Sequence, residues 1–481
     1  MNLLATIFKF EWKRTIRQPM MMLAILLYLS LGSYSIYSGQ QIIGKQLSAI
    51  DSAKISAQSD LKNAIKAFTD TLTAAKRYQA SQAGDPYIIN YRMPPIATDY
   101  PKSIAGLSIG LRDITPLSEK ISFTADYSAS SQEITNPVLL FDGNIDLSFT
   151  LVFMLPLLII VFCYDLLSSE KEYGTYALLQ VQSRSAHQVT GYRLLFRITL
   201  IGTTTLLLTG VGLLTSNLKE LLFSDAVLWI SAILSYLIFW FSICFLVISL
   251  KKETLPNLLY LLGFWLLFIY IIPAFTNIYI SIKHPPQLRT DLEDQERHIG
   301  EEVWYADPAQ IVLSFYRAHP QYASAFAPED TTNNQNDAFF AGYDYIKGQR
   351  MAAAIANIEQ ENNNVSQSAH QLLQFSPAQM LRHVLNMLSG TSRNDYLEYR
   401  NQVTAFKNIW KKNCYDRIFH VSETGRTVIH FKPEELHQLS LFHKTFQQVA
   451  LKSFMQAMLP LWIITLVLSI CTFLFLKYKL T

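Results

Sequence analysis

Residues 147–197 read LSFTLVFMLPLLIIVFCYDLLSSEKEYGTYALLQVQSRSAHQVTGYRLLFR, and this stretch decides the fold class. Leu147 to Leu167 carries one charge, Asp165, across a run long enough to cross the ~30 Å hydrocarbon core of a bilayer as a helix. A short charged segment follows, and a second apolar run extends from Leu194 to Leu214. Two apolar runs joined by a polar turn form a membrane-crossing helical hairpin. The pattern repeats on both sides of it: Met20 to Tyr37, Ala226 to Leu250, Leu255 to Phe275 and Met458 to Leu476 are also apolar enough to span.

Composition supports this reading. The chain has 481 residues, 50% of them hydrophobic and 16% charged, against roughly 25% charged in an average soluble protein. Its mean hydropathy of only +0.17 requires sizeable polar segments between the spans. The net charge of +3 is small, and no basic runs interleaved with aromatics suggest a groove for nucleic acid, which is excluded as a partner. Cys163, Cys244 and Cys471 lie in apolar runs and Cys414 stands apart from any second cysteine, so neither a disulfide nor a zinc site is expected.

Lys and Arg set the orientation. They cluster before the first span (Lys9, Lys13, Arg14, Arg17), around the second-to-third connection (Lys171, Arg184, Arg193, Arg197), at the fourth-to-fifth turn (Lys251, Lys252) and after the sixth span (Lys477, Lys479). The positive-inside rule then puts both termini in the cytoplasm. The expected fold is an all-α polytopic membrane protein with six transmembrane helices and two extracytoplasmic inserts, 38–146 and 276–457. The spans are 20–37, 147–167, 194–214, 226–250, 255–275 and 458–476, with a cytoplasmic interfacial helix at 1–18 and a cytoplasmic loop at 168–193. The first span lacks a small-x-small cleavage site close behind it and reads as an anchor.

The inserts read as mostly helical. Ile43, Leu47, Ile50, Ala57, Leu61, Ala64, Phe68 and Leu72 form an apolar seam, interrupted by Lys54, on a helix continuing from the first span towards a break at Gly84-Asp85-Pro86. Beyond it the proline-punctuated stretch to Asn136 suggests short strands and turns, giving the first insert α+β character. In the second insert Asp307-Pro308 and Ser376-Pro377 have the form of helix starts, with a cap followed by proline at the first helical position. A further long helix is expected over Asn336 to Leu373, and one continuous helix over Leu441 to Leu476.

No catalytic pattern appears. The chain lacks a GxxxxGK[ST] phosphate loop, an HExxH helix and a GxSxG elbow, so no catalytic residue, resident cofactor or metal site is assigned. The densest acidic cluster, Asp291, Glu293, Asp294, Glu296, His298, Glu301 and Glu302, is either a solvated helix face or a carboxylate-rich cation site. Asp165 is either an interfacial capping residue or a functional intramembrane charge. Thr199, Thr203 and Thr204 on the third span either line a polar path or bond back to their own helix. At the start of the chain Leu3, Leu4, Ile7, Phe8 and Trp12 share one helical face, with Lys9, Lys13, Arg14 and Arg17 on the polar remainder, the pattern of an interfacial helix.

The loop after the second span resembles that of permease subunits of type-two ABC transporters, the exporter superfamily. Glu170, Gly174, Thr175, Leu178 and Leu179, in EKEYGTYALL, carry the likeness. In that family the loop holds a coupling helix that sits in a cleft of a separate ATPase, and an elbow helix precedes the first span; Phe8, Trp12, Arg14 and Arg17 fall on the corresponding stretch here. FSPAQMLRHVLNMLSGTSRNDYLEYRNQV, through Ser376, Pro377, Leu388, Gly390 and Thr391, is similar to an uncharacterised extracytoplasmic domain in a bacterial subgroup of these permeases. Ordinary members have short external loops, and the two long inserts depart from that pattern.

The resemblance implies a permease in a bacterial inner membrane, paired with a second copy or a paralogue and driven by a separate ATPase that binds ATP and Mg. Glu170, Glu172, Gly174, Thr175, Leu178 and Leu179 would form the coupling element, Gly174 turning the chain and the carboxylates meeting basic residues of the ATPase. Thr199, Thr203 and Thr204 would line the pathway. The alternative is a mechanical transmitter or scaffold that uses the same coupling to act on an extracytoplasmic partner.

Overall fold

A computed structural model describes residues 3–69, 76, 80, 82–124, 144–175, 186–217, 221–285, 289–423, 425–436, 441–444 and 449–478. Helices α1 (Leu3–Arg17) and α2 (Pro19–Thr69) open the chain, followed by α3 (Pro86–Arg92) and strands β1 (Ile96–Thr98) and β2 (Ser118–Lys120). Helix α4 runs Leu147–Phe149, widens to a π-turn at Thr150–Met154 and continues Leu155–Cys163, before the short α5 (Ser168–Glu172). Then come α6 (Ala186–Thr215), α7 (Phe223–Ser249) and α8, which runs Thr254–Leu266, has a π-turn at Leu267–Ile271 and continues Ile272–Lys283. The second polar segment holds α9 (Arg289–Trp304), α10 (Pro308–Ala318), α11 (Asp337–Leu373), α12 (Pro377–Ser389), α13 (Arg393–Ile418), β3 (Val421–Ser422), β4 (Gly425–Arg426), α14 (Pro433–Leu436) and β5 (Leu441–His443). Helix α15 (Leu451–Tyr478) closes the chain.

The protein is all-α with little sheet, and six of its helices are long and apolar enough to cross a membrane: Pro19–Lys66, Leu147–Glu172, Gln188–Thr215, Phe223–Ser249, Thr254–Lys283 and Leu451–Leu474. It is a membrane protein by this architecture. Helices α4 and α7 are the most buried of the six, while α8 and α15 show most of their surface outward. Side-chain bonds cross the bundle: Tyr28 donates to Thr205 at 3.2 Å, Trp462 donates to Ser235 at 3.0 Å, and the Ser35 and Thr150 hydroxyls lie 2.6 Å apart.

Each π-turn precedes a proline by two residues, and side chains from other elements bond to carbonyls within it. A π-turn shifts backbone bonding to i−5, as where Ile272 N bonds to Leu267 O. The next donor would be Pro273 N, which carries no hydrogen. Ser376 Oγ donates to the orphaned Phe268 carbonyl instead, at 2.6 Å. In α4 two side chains reach backbone carbonyls of the π-turn: Tyr236 Oη donates to Val152 O at 2.9 Å and Trp265 Nε1 to Phe153 O at 3.2 Å.

The two polar segments share one body. A single apolar core draws Leu61 from α2, Ile89 and Phe123 from the first segment, and Val312, Phe339, Trp410 and Phe431 from the second. Strand β1 pairs antiparallel with β2 and parallel with β5, which joins residues about 345 positions apart in sequence into one sheet of order β2-β1-β5. A buried polar cluster also crosses between them: Asp99 accepts from Arg112 at 3.0 Å and pairs with Lys444 at 3.2 Å, and Arg112 Nε donates to Gln46 on α2 at 3.2 Å. Helix α2 approaches the Ala105–Leu107 turn so closely that a Cβ on Gly39 would lie 1.9 Å from the Gly106 carbonyl oxygen.

Two expectations change. Leu441–His443 is a strand bonded to β1, so the final helix begins at Leu451 instead of running unbroken from Leu441. Helix α12, within the stretch read as an external domain, packs its Met380, Leu381, Val384, Leu385 and Leu388 into the core of the spans. The apolar seam on α2 is partial: Ile43, Ile50 and Leu61 are buried, Leu47 is exposed, the Lys54 ammonium sits 4.7 Å from the Tyr100 ring centre, and Leu72 lies outside the described residues. Asp307 and Ser376 both cap the helices that follow them, through Ala309 N at 3.1 Å and Gln379 N at 3.3 Å.

Candidate functional site

The loop between the second and third spans starts from a turn at residues 164–167 that redirects the chain into α5. Glycine at 174 adopts φ +71°, the left-handed conformation that side chains disfavour, and ends this short helix in open space. Thr175 Oγ1 donates back to the Glu170 carboxylate and, at 3.2 Å, to its carbonyl oxygen. Tyr173, Gly174 and Thr175 are exposed, while Leu178 and Leu179 lie outside the described residues.

Two sets of contacts hold α5 in place. Towards the fourth-to-fifth turn, Lys171 Nζ donates to Lys251 O at 2.7 Å, Thr254 Oγ1 donates to Ser168 Oγ at 2.8 Å, and Glu172 Oε1 accepts from Thr254 N at 2.9 Å. A carboxylate at that position caps the first turn of α8, where unbonded N–H groups and the helix dipole favour negative charge. Lys251 itself has φ +55°, so the turn it occupies is strained and Lys171 fixes its carbonyl.

Towards the first and third spans lies a charge cluster of three carboxylates and three arginines. Asp165 accepts from Arg14 at 3.0 Å and Arg197 at 3.3 Å; Glu11 lies 3.3 Å from Arg193 and 3.5 Å from Arg197; Glu170 accepts from Arg193 at 2.8 Å. Glu11 and Arg197 are each only 1% exposed. Charges so far from water are tolerated because they are matched, and removing one leaves an uncompensated partner. The cluster joins four parts of the chain: α1, the end of the second span, α5 and the start of the third.

The residues singled out in the sequence separate accordingly. Glu170 and Glu172, expected to face a partner, are engaged within the chain, by Arg193 and Thr175 and by Thr254 respectively. Asp165 is an ion-pair residue. Of the elbow residues, Phe8 meets Phe196 edge-on at 5.3 Å between ring centres, Arg14 turns inward to Asp165, and Trp12 and Arg17 are exposed. Thr199, Thr203 and Thr204 bond back to Leu195, Thr199 and Leu200 carbonyls at 2.8 Å. Thr199 and Thr203 border an apolar groove of about 400 Å³ between α6 and α7, lined also by Leu206, Ile238 and Phe245.

Sequence reasoning missed Glu11. The available signal was that it is the only acidic residue in the first fifty, set in a basic helix. In the acidic stretch 291–302, Glu296 pairs with Lys347 at 2.9 Å, Asp294 with Arg297 at 2.8 Å and Glu302 with Arg350 at 2.9 Å. Among the described residues no three His, Cys, Asp or Glu side chains come together as a metal site.

Residues 288–432 match a family described as a domain of unknown function, DUF3526. The match covers α9 to α13 and stops just before α14. No curated protein and no solved structure matches the chain.

Proposed function

We propose that this chain is the membrane-spanning permease subunit of an ATP-driven ABC exporter of the bacterial inner membrane, dimeric with a second copy or paralogue and driven by a separate ATPase. The observation that carries the reading is the charge cluster, which ties the loop bearing Glu170, Gly174 and Thr175 to α1 and to both neighbouring spans. A push on α5 is then delivered to α1, α4 and α6 together through Arg14, Arg193 and Arg197. Both termini and the loop are cytoplasmic in this reading, and the polar domain is extracytoplasmic. ATP and Mg belong to the partner subunit, and this chain supplies no catalytic group.

A second reading is favoured by one feature. Helix α2 runs unbroken for 51 residues from the first span into the core of the polar domain, and the groove beside Thr199 and Thr203 is apolar. Those observations suit a transmitter that moves an external partner without passing substrate through the membrane.

The test is ATP hydrolysis by the chain reconstituted in lipid, alone and with the ABC ATPase encoded beside it. Hydrolysis stimulated by the chain and lost in Gly174→Pro, with membrane insertion unchanged, is the expected result. Proline cannot adopt the positive φ of that position. Stimulation that survives the substitution removes the loop from the mechanism.

A further inference from the structure

Helix α1 is tied down at the ends of three spans. Phe8 meets Phe196 near the start of the third, Glu11 pairs with Arg193 and Arg197 there, and Arg14 reaches Asp165 at the end of the second. Its last residue, Arg17, is separated from the first span only by Gln18, because α2 begins at Pro19. A helix anchored where three apolar runs begin or end lies along the boundary between hydrocarbon and water.

The face of α1 turned away from the bundle carries Lys9, Lys13 and Arg17. Spaced by four residues, they form one row about 12 Å long. All three are exposed, and none has an ion-pair or hydrogen-bond partner among the described residues. The one acidic residue of α1, Glu11, lies on the opposite face and is buried. Beside the row stand Leu3, Phe10, Trp12 and Ile16, each at least half exposed. Large apolar side chains next to unpaired cations suit a headgroup layer, where rings and aliphatic groups sink towards the acyl chains and the cations rise to the phosphates.

We propose that the outward face of α1 is a docking surface for anionic phospholipids of the leaflet in which the first span begins, with Lys9, Lys13 and Arg17 meeting the headgroup phosphates. The bilayer is the occupant because the first span enters it directly after Gln18, and the Arg14 and Phe8 contacts keep the rest of α1 at the same level. Charge then selects among lipids. No carboxylate on that face competes for the cations, and each cation beside a negative surface adds to the attraction. A zwitterionic headgroup offers a phosphate already offset by its own ammonium. Helix α1 is thereby held from two sides, by the charge cluster within and by lipid without. The proposal stands independently of how the loop between the second and third spans is used.

The test uses the full chain in vesicles of phosphatidylcholine with a minority of phosphatidylglycerol, brominated on the acyl chains of one lipid or the other. Bromine quenches tryptophan fluorescence at short range, and the part of the signal lost in Trp12→Phe reports the lipids beside the row. Per mole of lipid, brominated phosphatidylglycerol should quench Trp12 about threefold more than brominated phosphatidylcholine. Lys9→Gln, Lys13→Gln and Arg17→Gln together should bring that ratio to about one, whereas Lys9→Arg with Lys13→Arg should keep it. Raising the salt concentration should lower the ratio in the parent chain, a comparison that needs no substituted protein. Equal quenching by the two lipids, or a preference that survives the triple substitution or is indifferent to salt, overturns the proposal. So does an absence of Trp12 quenching by either lipid, which would show that something other than the bilayer covers this face.

Discussion

At one end of the bundle Glu11, Asp165 and Glu170 meet Arg14, Arg193 and Arg197; in the polar domain Phe315 lies 4.9 Å from Phe419 and 5.6 Å from Tyr415 between ring centres. Both regions are buried and both gather distant parts of the chain. They differ in what a disturbance does to them. Aromatic packing loses area gradually, whereas a compensated charge cluster depends on the presence of every member. The charged end can therefore hold four elements in a defined arrangement without a large apolar surface, and the polar domain can serve as a stiff body.

The largest effects should come from breaking each region at its centre. Arg197→Leu leaves Glu11 and Asp165 short of positive charge and should destabilise the protein by about 3–5 kcal/mol, read as a lowered thermal midpoint in detergent. Adding Glu11→Gln should restore a part of that loss. Phe315→Ala should cost a similar ~3–5 kcal/mol through the cavity it leaves. In that case no second truncation among Tyr415 or Phe419 should restore stability. Recovery in the aromatic pair, or none in the charged pair, would erase the contrast drawn above.

Much of this was legible in the sequence for a simple physical reason. A helix must satisfy its backbone within itself to cross a bilayer, so six long apolar runs identify six spans without knowledge of their neighbours. Asp307-Pro308 and Ser376-Pro377 were likewise local signals. The misread parts depend on distant partners. Nothing local to Leu441–His443 says that β1 will pair with it, so from sequence its apolar residues read as part of the final helix. The side of α12 that faces the spans looks the same in sequence as one facing another soluble helix. Pro156 and Pro273 are visible as helix disturbances, but the hydroxyls that donate to carbonyls of the adjoining π-turns, Tyr236 and Ser376, stand 80 and 103 residues further along the chain. The bonds that Glu170 and Glu172 make to Arg193 and Thr254 are likewise invisible locally, because those partners belong to other elements.

A smaller effect should separate the regions by pH. Burial, with Asp85 and Asp330 nearby and Arg426 opposing, pushes the Asp337 carboxyl up to about 6; its hydroxyl neighbour Tyr87 donates to the Asp337 carbonyl at 3.1 Å. The folded protein thus holds a proton that the unfolded chain, with an ordinary aspartate near ~3.9, releases earlier. The stabilisation is fully present below about pH 4 and is lost as pH rises through about 6, by at most ~3 kcal/mol. Asp337→Asn should flatten that dependence and exceed the parent's stability at pH 7. A parallel pair of stability curves from pH 4 to 7 would show that Asp337 does not govern the polar domain.

The smallest effect concerns the junction. Ser376→Ala removes both the donor to Phe268 O and the α12 cap on Gln379 N and should cost about 2 kcal/mol, with backbone exchange faster around residues 267–271. Unaltered exchange there would mean that the α8 π-turn holds without the polar segment, and that the two regions communicate elsewhere.

Helix α2 has one geometric consequence. Its 51 residues amount to about 77 Å at 1.5 Å per residue, and the hydrocarbon core occupies only ~30 Å of that. In the transmitter reading the remaining arm of about 45 Å would be a lever whose fulcrum is the bilayer. A tilt of roughly 10° at the first span would swing the tip near Thr69 through about 8 Å, enough to turn a change of an ångström or two at Arg14 into a stroke that a bound partner could feel.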